Sequence, residues 1–144
     1  MAKTERLIKS RERVKKFAEV FTPKHIVNDM LDLVGNIDID TTFLEPACGN
    51  GNFVVEILRR KFAKCSTNAQ VIDALKSVYG VDIQADNVVE CKKRIFDMLD
   101  RFDFKVGDTV AAAVVINCNI QQGDFLKMQK ADGKPLEFVD WRKK

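Results

Sequence analysis

Residues 43–53 read Phe-Leu-Glu-Pro-Ala-Cys-Gly-Asn-Gly-Asn-Phe and are the most informative part of the chain. The run begins with the apolar end of a predicted strand, and an amphipathic helix is predicted from Phe53 onward. Gly49 and Gly51 lack a Cβ, so the backbone there can turn sharply and approach a ligand closely. The N-terminus of the following helix offers unpaired N–H groups and partial positive charge. The run therefore predicts a loop for a nucleotide-type or carboxylate-bearing cofactor.

The loop alone leaves several ligands open. A strand, a Gly-x-Gly loop and a helix can serve NAD, FAD or S-adenosylmethionine, or form only a tight turn. Pro46 before the loop disfavours the dinucleotide fingerprint Gly-x-Gly-x-x-Gly. The third glycine of that fingerprint would fall on Val54, whose side chain has the wrong size.

Hydrophobic spacing and turn residues predict an α/β fold. The chain is predicted to begin with a basic helix or partly ordered arm over 4–18, followed by a helix from Pro23 to Gly35 with Thr22 as its N-cap. Three strands are predicted, over 41–45, over 78–83 and in the later part of 114–120, ending near Gln121. Further helices are predicted over 53–64, 68–77 and 86–102, the last of them extended over 109–113. Strands that alternate with helices indicate right-handed βαβ units and a parallel sheet.

Four short segments resemble motifs of the amino-group DNA methyltransferases, especially the N6-adenine class of restriction–modification systems. Residues 44–53 resemble motif I, and Glu-Val-Phe-Thr-Pro at 19–23 is similar to motif X. Tyr-Gly-Val-Asp-Ile at 79–83 resembles motif II, and Gly-Asp-Phe-Leu at 123–126 resembles motif III. The four segments follow the family's order and cover residues 19–126, which makes them more specific together than singly.

The resemblance implies a Rossmann-like S-adenosylmethionine methyltransferase sheet that is incomplete, with about three parallel strands and flanking helices. Residues 1–18 would form a basic helix or arm, and residues 19–144 the cofactor-binding domain, the N-terminal half of the full fold. The implied cofactor is S-adenosyl-L-methionine and the implied activity is methylation of adenine N6 in DNA. DNA would be one partner, and a partner subunit or a second copy of the chain would be another.

The resemblance also implies cofactor contacts. Asp82, at a strand end, would accept hydrogen bonds from the ribose hydroxyls, and Asp124 from the adenine amino group. Ile83 and Phe125 would pack against the adenine ring, while Glu45 would bind the loop backbone or the cofactor's ammonium. The complete predicted set is Phe21, Thr22, Pro23, Glu45, Pro46, Ala47, Cys48, Gly49, Gly51, Phe53, Asp82, Ile83, Asp124 and Phe125. Simpler interpretations remain open, since aspartates often cap helices and Gly-Asp is a common turn.

The family's catalytic signature is absent from these residues. That signature is Asn-Pro-Pro-Tyr or Asp-Pro-Pro-Tyr after a fourth strand, whereas the three prolines here are Pro23, Pro46 and Pro135, none adjacent to another. Phe138 to Trp141 is at best a remnant of that strand, and no catalytic residue is assigned. The chain would then be a fragment or split subunit, a small divergent enzyme using Asp140 or Trp141, or a non-catalytic cofactor-binding or regulatory protein. Methylation of RNA or protein is a further alternative.

Composition is ordinary for one globular domain, with 144 residues, 46% apolar and 31% charged. No apolar run approaches the roughly 20 residues of a membrane span, and no secretion signal is recognised, so a cytoplasmic location is expected. The four cysteines lack metal-ligand spacing, and no metal site is predicted. Basic residues crowd the first sixteen positions, where they could hold phosphates or form a solvated helix face.

Overall fold

Three short parallel strands form one sheet in the computed structural model, which describes residues 5–17 and 19–142. The strands are β1 (Phe43–Glu45), β2 (Val78–Asp82) and β3 (Ile120–Gln122), and they lie in the order β1-β2-β3. The helices are α1 (Arg11–Phe17), α2 (Lys24–Val34), α3 (Asn52–Phe62), α4 (Asn68–Lys76), α5 (Ala85–Leu99) and α6 (Val106–Asn119). The predicted α/β class with about three parallel strands is confirmed.

The hydrophobic core lies between β2 and the four helices α3, α4, α5 and α6, all of which contact that strand. Its fully buried side chains include Val54 and Phe62 of α3, Val71 of α4 and Ile95 of α5. The ring of Phe102 meets Phe62 edge to face at 5.4 Å. Burial of these apolar side chains stabilises the unit. Across the described residues, no helix is long and apolar enough to cross a membrane.

A buried lysine holds the segment that leads into β1. Lys61 of α3 is fully buried, and its Nζ donates to the carbonyl oxygens of Asp38 at 2.6 Å, Ile39 at 2.9 Å and Thr41 at 2.6 Å. Burial lowers the pKa of Lys61 to about 8. Because one ammonium satisfies three carbonyls, the position of β1 is tied directly to α3.

The N-cap predicted for α2 is wrong. The helix begins at Lys24 and its N-cap is Pro23. The side chain of this N-cap residue accepts no hydrogen bond from the backbone N–H groups of the first turn. The backbone N–H of Lys24 instead donates to Glu5 Oε1 at 2.7 Å. A carboxylate brought by the N-terminal arm thus satisfies a group that Thr22 was expected to satisfy.

The region before β3 also differs from the prediction. The helical extension predicted over 109–113 is part of a longer helix, α6, which continues to Asn119, and β3 starts only at Ile120. Ala112, Val115, Ile116 and Asn119 are its buried residues, at the spacing of a helix face that packs on α4. Tertiary packing therefore overrides the strand preference of the β-branched residues.

The two ends of the chain have less regular structure than predicted. Within 4–18 only Arg11–Phe17 is helical, while Thr4 and Ala18 lie outside the described residues. Phe138 to Trp141 forms no strand; Tyr79 Oη donates to the carbonyl of Val139 at 2.6 Å instead. The remaining predicted boundaries differ from those observed by at most three residues.

Candidate cofactor-binding site

Two loops are fastened to the carboxyl end of β2. The backbone N–H of Cys48, in the glycine loop, donates to Val81 O at 2.7 Å, and that of Gly123 donates to Asp82 O at 2.9 Å. The segments that resemble motifs I, II and III therefore meet at the edge of the sheet that is formed by the carboxyl ends of its strands. In an open α/β sheet this edge is where ligands bind.

Asp82 holds the glycine loop with its side chain. The residue as a whole is 8% exposed, and its Oδ2 accepts from the backbone N–H of Gly49 at 2.9 Å. Oδ1 accepts from the backbone N–H of Gln84 at 2.9 Å and from Asn87 Nδ2 at 3.1 Å. A carboxylate has about four lone-pair sites, so a ligand hydroxyl can still be accepted. The helix-capping interpretation and the ribose contact are thus compatible, and the ribose contact stays a prediction.

The two loop glycines are required by packing as well as by backbone conformation. Gly49 has φ 55° and Gly51 has φ 98°. A Cβ at Gly51 would lie 2.7 Å from Cys91 Sγ, and one at Gly49 would lie 3.0 Å from the ring of Phe21. The sequence indicated glycine for close approach of a ligand; the structure adds that both positions face other parts of the protein.

The segment resembling motif X contacts the glycine loop by packing and by a hydrogen bond. Phe21 is buried against Gly49, and the carbonyl of Thr22 accepts from Asn52 Nδ2 at 2.8 Å. Arg94 Nη1 of α5 donates to Asn52 Oδ1 at 2.8 Å and to Asn50 O at 3.0 Å. Neither Asn52 nor Arg94 was predicted, and no local pattern around Arg94 marks it, because its partners lie more than forty residues earlier.

The pKa values of Glu45 and Cys48 are both raised, in each case with burial among the causes. Burial raises the pKa of Glu45, and a hydrogen bond from the backbone of Ala47 opposes that shift. A hydrogen bond with the Cys91 side chain, together with burial, raises the pKa of the Cys48 thiol. Both cysteines are free thiols in the interior. Cys48 therefore stays protonated and packs as a small side chain.

Asp124 and Phe125 follow β3 at the same edge. Asp124 Oδ1 accepts from the backbone N–H groups of Leu126 at 3.0 Å and Lys127 at 3.3 Å, the turn that the sequence left open as an alternative. Phe125 is half-buried, whereas Ile83 is 46% exposed and offers an apolar surface.

The other predicted site residues are spread over three environments. Pro46 and Ala47 are exposed at the edge, and Pro23 begins α2. Phe53 packs against the hydrophobic core. In the part of the chain that the structure describes, no three histidine, cysteine or acidic side chains are grouped so as to hold a metal ion.

Comparison with known proteins gives two curated relatives. No protein-family model matches the chain. The type II methyltransferase M.VspI of Vibrio sp. (strain 343) is 27% identical over 106 residues, which is 74% of this chain and 20% of the relative. The type II restriction enzyme and methyltransferase RM.BcgI of Heyndrickxia coagulans is 33% identical over 66 residues, 45% of this chain and 10% of the relative. These matches support, at the level of the family, a relationship to methyltransferases of restriction–modification systems.

The chain spans at most a fifth of the length of these curated relatives, with 20% of one and 10% of the other covered. A crystal structure of a modification subunit assigned to a type I restriction enzyme from Vibrio vulnificus YJ016 aligns with a TM-score of 0.46 and 23% identity. That alignment covers 61% of this chain and 18% of the other.

Proposed function

We propose that the chain is the S-adenosylmethionine-binding part of a DNA adenine-N6 methyltransferase, or of its methylation subunit, in a restriction–modification system. The observation that carries the proposal is the attachment of the glycine loop and of Gly123 to the end of β2, beside Asp82. Bound S-adenosylmethionine would supply an activated methyl group. The residues of this chain would bind and orient it.

The residues at this edge fit such a cofactor in chemistry. Asp82, with one acceptor position left, would accept from a ribose hydroxyl, and the exposed Ile83 would lie against the adenine ring. In the glycine loop, Asn50 Oδ1 is buried and has no hydrogen-bond donor among the described residues. An acceptor left unpaired in a loop of this kind suits a ligand N–H group, such as the ammonium of the methionine part. Asn50 therefore joins the residues proposed for the site.

Transfer to DNA would need a further protein segment. Adenine must be extruded and its amino group positioned, and Asn-Pro-Pro-Tyr or an equivalent is what performs this in the family. We infer that a partner subunit or further sequence supplies these groups. Among the described residues β1 pairs with β2 alone, and Leu44 on β1 is 44% exposed. An uncovered strand edge of this kind favours pairing with another segment or a second copy.

A non-catalytic role is the second candidate. No two of the three prolines are adjacent, which favours a subunit that binds the cofactor without turnover when alone. RNA or protein acceptors also remain candidates, since one fold serves many acceptors.

The chain is expected to bind S-adenosylmethionine and S-adenosylhomocysteine. Isothermal titration calorimetry of the full chain with each ligand measures this directly, with ATP and NAD as control ligands. Saturable binding of both adenosyl ligands with no heat from ATP or NAD supports the proposal. A flat titration with all of them overturns it.

The chain alone is expected to transfer no methyl group to DNA. The amino group of adenine is a weak nucleophile that needs a positioned acceptor, and that acceptor is unassigned here. The assay incubates the chain with methyl-labelled cofactor and mixed-sequence DNA, and with RNA or a protein mixture in parallel. Label in DNA would contradict the expectation, and label in only RNA or protein would replace the proposed substrate.

A further inference from the structure

Asn87 connects Asp82 to the N-terminal part of the chain. It is fully buried at the start of α5, and its Nδ2 donates to Asp82 Oδ1 at 3.1 Å and to Glu19 Oε2 at 2.7 Å. Both N–H bonds of the amide are therefore used by two carboxylates. Asn87 Oδ1 is buried without a hydrogen-bond partner in the described residues. The direction in which this amide points is thus determined by Glu19 and Asp82 alone.

Arg13 of α1 holds Glu19 in place. Its Nη2 donates to Glu19 Oε2 at 3.0 Å, and its Nε lies 2.9 Å from Glu19 Oε1. The same guanidinium binds both oxygens of Asp86, with Nη1–Oδ2 at 2.7 Å and Nη2–Oδ1 at 3.0 Å. A forked, charge-assisted contact of this kind fixes orientation as well as distance.

Lys9 reinforces the same attachment. Its Nζ lies 2.9 Å from Asp86 Oδ2 and 3.1 Å from Glu90 Oε2. Hydrogen bonds from Arg13 and Lys9 hold the pKa of Asp86 well below its usual range. The basic N-terminal arm is therefore docked on the start of α5 by pairs of opposite charge, and these two cations are already partly neutralised within the protein.

We propose that Arg13, Glu19 and Asn87 form a relay of positioning residues that orients the Asp82 carboxylate, so that cofactor affinity depends on the docked N-terminal arm. This inference rests on the proposed function, because it takes Asp82 to receive a hydrogen bond from the ribose 2′-hydroxyl. Without Arg13, the Glu19 carboxylate loses the positive charge that lies beside both of its oxygens. Without Glu19, the Asn87 amide loses its shorter hydrogen bond, and only the 3.1 Å contact with Asp82 Oδ1 holds it, so neither side chain keeps a fixed orientation.

The test compares two arginines of the same helix. Arg13→Met removes the relay, whereas Arg11→Met removes an equal charge from an exposed residue of α1. Calorimetric titration with S-adenosylhomocysteine should show affinity reduced about tenfold or more by Arg13→Met. Arg11→Met should stay within about twofold of the parent.

A second ligand separates positioning from a general structural effect. With an analogue of S-adenosylhomocysteine that lacks the ribose 2′-hydroxyl, parent and Arg13→Met should differ much less. Loss of arm structure alone would weaken both ligands equally. Glu19→Leu should behave like Arg13→Met, and Glu19→Gln should recover part of the affinity because it keeps an acceptor for Asn87.

The outcomes distinguish the two proposals. If the parent binds but Arg13→Met loses no more affinity than Arg11→Met, or loses it equally for both ligands, the relay is wrong and the proposed function stands. If the parent shows no binding of S-adenosylhomocysteine, the proposed function fails and the relay fails with it.

Discussion

Replacing Gly51 by alanine is expected to lower the free energy of unfolding by about 2–5 kcal/mol. Two costs add at this position. The backbone φ of 98° is strained for any residue with a Cβ, and that Cβ would lie 2.7 Å from Cys91 Sγ and 3.3 Å from Cys91 Cα. The backbone of α5 cannot give way as a flexible side-chain end could. Urea denaturation followed by circular dichroism measures the change.

Gly133→Ala is the control for Gly51→Ala. Its φ of 83° is also positive, but nothing lies within 4 Å of the added Cβ. We therefore expect a loss of about 1–3 kcal/mol there, from strain alone. Equal losses at the two glycines would mean that α5 accommodates the added Cβ at no cost, so that packing against Cys91 does not require glycine at position 51.

Asp82→Asn is expected to weaken binding of S-adenosylmethionine by roughly tenfold to a hundredfold, or about 1.5–3 kcal/mol. The substitution removes the charge, and its amide places N–H groups against donors that already surround the carboxylate. These donors are Gly49 N, Gln84 N and Asn87 Nδ2. Asp82→Ala should weaken binding too, but it also leaves three donors without their acceptor and so destabilises the protein.

Calorimetry at a temperature where the variant is folded checks this expectation, with a thermal melt on each sample. Asp73→Asn, an equal change of charge on the exposed side of α4, is the control and should bind as the parent does. Unchanged affinity in folded Asp82→Asn would remove Asp82 from the site.

The sequence predicted the class of fold because its signals are local. Glycine, proline and alternating apolar runs placed β1, β2 and the helices to within a few residues. The strand near 114–120 was misplaced because Val115 and Ile116 favour strands in isolation, while their burial against α4 favours a helix. Packing partners of this kind are distant in sequence and leave no mark on the segment itself.

The sequence predicted which segments lie at the carboxyl ends of the strands, but not how their side chains are connected. The four motif segments identified the edge of the sheet. The cap of α2 by Glu5, the contact of Arg94 with Asn52 and the contact of Asn87 with Glu19 each join residues at least 19 positions apart. Such pairs depend on how α5 and the N-terminal arm are docked, which local patterns do not encode.

The attachment of both loops to the end of β2 has a consequence for exchange of backbone amides with solvent. The N–H groups of Cys48, Gly49 and Gly123 all end on two residues, Val81 and Asp82. Separation of that strand end would expose the three amides in one opening event, so deuterium uptake there is governed by a single local equilibrium. These three amides at the carboxyl end of β2 are therefore expected to exchange at similar rates.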